Sequence, residues 1–199
     1  MEKNKFEKTE LLTDNNYFSI LNSNEKLTTN LNPNKDYFQT KEISRLIYDY
    51  LNSDNIKSNI IQKNNFKDRY NNNNDLFVHI RLDDAIKFAP PVNYYIDTIK
   101  KFNYDNLYIS THEPSHNTIK KLLEIFPKSQ LFIQNEFVTF QFASTCKNII
   151  LSRGTFSASI GYLAFYSTIY YPKNDDNRIN DTAFNDIIFP TDKWIEVEY

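Results

Sequence analysis

Apolar positions in this chain keep a regular rhythm after residue 75 and only a broken one before it. Leu76 to Ile80 is a nearly continuous apolar run of strand length, and Asn106 to Ser110 reads as a second strand. Between them, Pro90-Pro91 opens a segment whose Val92, Tyr95, Ile96 and Ile99 share one helical face. Proline suits a first turn because its missing N–H has no partner there. Ser115 is placed to cap a second helix carrying Ile119, Leu122, Leu123 and Phe126. Leu131-Phe132-Ile133 reads as a third strand, Glu136 to Lys147 as a third helix, and Asn148 to Leu151 as a fourth strand. A helix over Ala158 to Phe165 follows, with Ser157 at its N-cap, then a fifth strand over Ser167 to Tyr171 stopped by Pro172. Strands and helices alternating through short links predict an α/β fold: a Rossmann-like parallel sheet with helices on both faces. The terminal alternation from Trp194 to Tyr199 fits an edge strand or a segment packed back on the body.

The first 74 residues read differently. Residues 1 to about 35 are polar and rich in asparagine, with scattered apolar anchors, and predict an irregular arm. Ile43, Leu46, Ile47 and Tyr50 then fall at helical spacing, an amphipathic helix over Thr40 to Leu51. A second polar stretch ends in Asn71 to Asn74 and reads as a flexible surface loop. A boundary near residue 74 divides a small N-terminal region (1–74) from the rhythmic body (75–199).

Composition narrows the chemistry. At 40% hydrophobic and 16% aromatic, the chain can bury a substantial core, and its net charge of −2 offers no basic face for nucleic acid. One cysteine, Cys146, excludes an intrachain disulfide and reads as core filler in a helix. No apolar run is long enough to span a bilayer, and the polar N-terminus lacks a signal-peptide core. A soluble, cytoplasmic protein is the expectation.

Glycine is the informative residue. Average usage over this length would give about 14; the chain has 2, Gly154 and Gly161, both in one short stretch. Each should sit where a side chain would be in the way. Strand, glycine turn and capped helix bring backbone N–H groups and a positive helix end to one point, an arrangement that suits phosphate. Many such turns serve geometry alone, so the reading needs a second element. His79 and Arg81, at the end of the first strand, supply it. They point to one face, on the rim where the glycine turn must also lie. In isolation they could be an edge histidine and an arginine paired with Asp83 or Asp84. An arginine fork facing a helix N-terminus suits a diphosphate.

These residues also carry a resemblance. His79-x-Arg81-x-x-Asp84 resembles the H-x-R-x-G-D segment of the α1,2-fucosyltransferase family and its relatives. Pro91 to Tyr95 is similar to its P-x-x-Y-Y helix start, and Tyr108 to Glu113 to its strand ending in Ser/Thr-Asp-Asp. Glu136 stands where the family has Asp at a helix start. Cys146 to Ile150 with Thr155-Phe156-Ser157 is similar to C-K-H-x-I-I followed by S-T-F-S-W-W, and Tyr37-Phe38-Gln39 to G-Y-F-Q.

The resemblance implies the nucleotide-sugar half of a GT-B-like fold and a transferase that inverts the sugar's anomeric centre without a required metal or cofactor. The donor would be GDP-fucose or another GDP-sugar, and the acceptor a carbohydrate or glycoconjugate hydroxyl. By position, Arg81 would stabilise the departing diphosphate, and Gly154, Thr155, Phe156 and Ser157 would hold the β-phosphate. Ser110 and Glu136 would lie near the guanosine. His79 and Asp84 would shape the arginine loop, either one assisting the acceptor hydroxyl. The departures are specific. Asp83 replaces the motif glycine, Thr111-His112 replaces an acidic pair with Glu113 following, and Ser157-Ala158-Ser159 replaces S-W-W. Arg153 replaces a small polar residue, and either meets phosphate or faces solvent. The N-terminal region is short for an acceptor domain, leaving that side to a second copy or a partner. A non-catalytic GDP-sugar-binding relative, acting as a scaffold, is the competing reading. NAD-type Rossmann and Walker-type phosphate sites are disfavoured because two glycines cannot write their motifs.

Overall fold

The computed structural model describes residues 10–13, 16–22, 29–31, 40–82, 89–173, 187–188 and 193–199. Two short strands, β1 (Glu10–Leu12) and β2 (Thr29–Leu31), pair in parallel, with α1 (Tyr17–Leu21) between them. The arm read as irregular therefore contains short regular elements. Next come α2 (Lys41–Asn52), capped by the Thr40 hydroxyl, which accepts from the Ile43 N–H, then α3 (Asp54–Lys63) and a 3-10 turn over Lys67–Arg69.

The body alternates as the pattern predicts: β3 (Leu76–His79), α4 (Val92–Ile99), β4 (Leu107–Ser110), α5 (Asn117–Ile125), β5 (Gln130–Leu131), α6 (Glu136–Ala143), β6 (Asn148–Ile150), α7 (Thr155–Leu163), β7 (Thr168–Pro172) and β8 (Trp194–Val197). All six strands are parallel, in the order β5-β4-β3-β6-β7-β8. Counted within the sheet this is 3-2-1-4-5-6, the doubly wound Rossmann arrangement. Leu76 and Val78 pack with Tyr95, Ile99 and Ile119 on the α4/α5 face, while Phe77 packs with Phe142 and Ile160 on the α6/α7 face. A strand buried on both faces has no polar positions to alternate, which is why β3 reads as a continuous apolar run. Each fully buried side chain of this size contributes about 1.5–3 kcal/mol.

Several expectations change. The stretch read as a loop before residue 74 holds α3 and the 3-10 turn; Asn71 and Asn72 are exposed, while Asn73 and Asn74 are half-buried and bonded to the body. Asn71 takes a left-handed φ of 57°, which asparagine tolerates. The Asn73 amide donates to the carbonyls of Arg69 (2.6 Å) and Thr145 (2.9 Å). These asparagines act as local hydrogen-bonding groups, which composition alone cannot distinguish from a solvated tract. On α2 the helix is present and Ile43 is buried as expected, but Tyr48 and Leu51 pack on the body while Leu46, Ile47 and Tyr50 are 43%, 44% and 61% exposed.

Helix α5 is capped by His116, whose Nδ1 accepts from the Thr118 N–H, rather than by Ser115. Helix α6 stops at Ala143, so Cys146 lies in the following turn. It is buried there, and burial pushes its thiol up to about 12. The terminal alternation is an edge strand, β8, in register with β7. Its Trp194 ring lies against Gly161, where an added Cβ would come within 2.5 Å of ring atom Cζ2.

Candidate functional site

The sheet changes direction between β3 and β6, and the crevice above the carboxyl ends of those strands is where such folds bind ligands. His79 ends β3 opposite Ser110 at the end of β4, and Arg81 follows just beyond. From β6 the chain runs through Leu151 to Gly154 and turns directly into α7. Gly154 is the N-cap, and the first helical bond runs from the Ala158 N–H to its carbonyl. The expected cap, Ser157, is instead inside the helix. Gly154 has φ +105°, and a Cβ built on it would lie 2.6 Å from Nη1 of Arg81. The strand-end arginine therefore lies directly over the glycine turn, at a helix end where N–H groups point outward. Only glycine offers both the backbone angle and the space.

Two adjoining cavities open at this point. One, of about 350 Å³, is lined by His79, Arg81, His112, Glu136 and Phe156, with Ile80 and Leu82. The other, of about 240 Å³, shares His79, His112, Glu136 and Phe156 and extends to Ser110, Thr111 and Thr139. Phe156 forms an aromatic wall, stacked on Phe140 with centroids 4.5 Å apart and 5.0 Å from the His79 ring. Glu136 stands in the first turn of α6, where its negative charge complements the helix dipole. His79 is buried, and its Nδ1 lies 2.6 Å from the Ser157 hydroxyl. Burial, with smaller contributions from His112 and Arg81, lowers its pKa to about 3, so the ring is neutral.

The structure thus gathers His79, Arg81, Ser110, Glu136, Gly154, Phe156 and Ser157 around one crevice, with Thr155 at the same helix start. Ser157 itself is fully buried, its hydroxyl turned to His79. Asp84, with Asp83, falls outside the described residues, as do Tyr37, Phe38 and Gln39. Arg153 neither reaches the crevice nor faces solvent. It is 5% exposed and donates to the Lys173 carbonyl (3.0 Å) and the Tyr199 hydroxyl (2.8 Å), tying the turn to the segments that follow β7 and β8.

Sequence reasoning missed the support beneath the turn. The Tyr94 hydroxyl donates to the Leu151 carbonyl at 2.9 Å, and the Tyr95 hydroxyl to Ser152 Oγ at 3.0 Å. Both rings are buried, and burial raises both phenol pKa values. The adjacent tyrosines beside the apolar face of α4 were the available signal, because a buried hydroxyl must find a partner. Phe140 gave none beyond its place on an apolar helix. Among the described residues no group of three or more His, Cys, Asp or Glu side chains could hold a metal ion. No described helix is long and apolar enough to cross a membrane.

No protein-family model matches the chain, and no curated protein matches it significantly. Among solved structures, the chain is similar to the fucosyltransferase NodZ from Bradyrhizobium, with a TM-score of 0.44 and 14% identity. The similarity covers 78% of this chain and 58% of that one, so the chain spans little more than half the length of that neighbour. What is shown is the fold: a parallel, six-stranded, Rossmann-like α/β sheet with a crevice at its switch point.

Proposed function

We propose that the chain is a glycosyltransferase of the fucosyltransferase type, moving a sugar from a GDP-sugar to an acceptor hydroxyl with inversion. One observation carries the reading: the Arg81 guanidinium lies over Gly154 at the start of α7, in the switch-point crevice. A diphosphate there meets a cationic fork on one side and a helix N-terminus on the other. The ordered motifs from His79 to Ser157 support the same assignment.

In the transfer, an acceptor oxygen forms a bond to the anomeric carbon. The bond from that carbon to the β-phosphate oxygen breaks, and its electron pair leaves with GDP. Arg81 and the N–H groups at the start of α7 offset that growing negative charge, which a preorganised site does without rearranging. The acceptor proton must go to a base. The motif offers two residues for that role, His79 and Asp84.

Thermal-shift and calorimetric titration with GDP and GDP-fucose, with UDP and NAD as controls, tests the assignment. A ligand that binds only the folded state stabilises it, by about 2.7 kcal/mol at a hundredfold excess over Kd. Stabilisation selective for the guanosine nucleotides is expected. No response, or an equal response to UDP, would overturn the proposal.

A further inference from the structure

The contact between His79 and Ser157 constrains where the histidine's proton can reside. Ser157 is 0% exposed, and its hydroxyl has one hydrogen-bond partner among the described residues, Nδ1 of His79 at 2.6 Å. A hydroxyl carries a single proton to donate, and a neutral imidazole carries one N–H and one bare nitrogen. If Nδ1 held the proton, Ser157 would accept it and its own hydrogen would be buried with nothing to bond, a costly arrangement. The same objection rules out an imidazolium, in which both nitrogens donate. The consistent assignment has Ser157 donating to a bare Nδ1, with the ring proton on Nε2. That nitrogen has no partner among the described residues, and the ring lines both cavities.

We propose that Ser157 is a positioning residue: it fixes the tautomer of His79 so that a neutral Nε2–H donor faces the crevice, selecting a ligand that offers an oxygen lone pair there. The inference rests on the crevice assigned above as the ligand site, though not on which nucleotide occupies it. Burial supports it independently, since a ring held at about 3 does not take up a second proton near neutral pH. The placement also gives Ser157 a reason to sit inside the first turn of α7 rather than at its cap. From there its hydroxyl reaches across to β3, while its N–H stays at the helix end.

Nitrogen NMR of the ligand-free protein labelled at histidine tests this directly. There are three histidines, and His112→Gln and His116→Gln variants assign the remaining signal to His79. The expected spectrum has a pyridine-type Nδ1 and a pyrrole-type Nε2. Ser157→Ala should lose this fixed pattern and weaken GDP binding about tenfold, the effect of one hydrogen bond. Ser157→Thr, which keeps the hydroxyl, should restore the pattern. A protonated Nδ1 in the unmodified protein, or an unchanged tautomer in Ser157→Ala, would overturn the inference. The wild-type spectrum decides even if the alanine variant does not fold. A fixed Nε2–H tautomer in a protein that ignores GDP would refute the proposed donor and leave the role of Ser157 standing.

Discussion

Replacing Gly154 with alanine tests whether the arginine and the glycine turn act as one unit. The added methyl would lie 2.6 Å from Arg81 Nη1 and 3.5 Å from its Cδ, and the backbone there has φ +105°. Forcing an L-residue into that region costs roughly 1–3 kcal/mol. Relief of the collision requires the guanidinium to move, since the other partner is the backbone of the turn itself. Losing a charge-assisted hydrogen bond to phosphate costs about 1.5–3 kcal/mol, or roughly a tenfold to hundredfold weaker Kd. Gly161→Ala is the control. Its Cβ would meet the Trp194 ring, so it should also destabilise the fold, but it leaves Arg81 untouched. Calorimetric titration with GDP, alongside urea unfolding of each variant, gives both quantities. Gly154→Ala should lose affinity and stability together, whereas Gly161→Ala should lose stability alone. Wild-type GDP affinity in folded Gly154→Ala would refute the claim that the arginine and the turn form one site.

Asp75 is 3% exposed and accepts from Arg69 Nη2 at 2.7 Å. Arg69→Ala should therefore cost about 3 kcal/mol in urea unfolding, because it leaves a buried carboxylate short of its cation. Tyr95→Phe removes the donor to Ser152, and should cost about 1 kcal/mol of stability while weakening GDP binding through a looser turn. His79 makes stability pH-dependent with a definite sign. The folded ring titrates near 3 and an unfolded histidine near 6.5, so between those values the unfolded chain binds more protons. Its contribution is complete above about 6.5 and falls as pH drops toward 3, by up to roughly 1.4 kcal/mol per pH unit. Urea unfolding above and inside that window should show a steeper acid loss for the wild type than for His79→Gln.

The body of the fold was legible because its information is local. Leu76 to Val78 are apolar on both faces, and Ile119 and Leu122 mark a helix by spacing alone. Gly154 was legible through scarcity, since a chain that spends almost no glycine must need it where it appears. The rest depended on distance in sequence. Nothing near Ser157 announces that it faces a histidine 78 residues away, so it read as a cap. Arg153 read as either a phosphate contact or a solvent-facing side chain, because nothing local places Lys173 and Tyr199 against it. Helix α3 was missed because its asparagines and lysines mask the apolar positions Ile56, Ile60 and Ile61. Asn73 was misread because its value lies in hydrogen bonds to Arg69 and Thr145 rather than in its polarity.

On this reading the Arg81 side chain and the start of α7 form one diphosphate site. The most direct test is an amide NMR map of the chain titrated with GDP. The expected shifts cluster at residues 79–82 and 154–157, with weaker changes at Ser110, His112 and Glu136, and collapse in Arg81→Ala. Shifts confined to the far end of the sheet, around Cys146 and Tyr166, or no shifts at saturating GDP, would show that Arg81 and α7 do not form such a site.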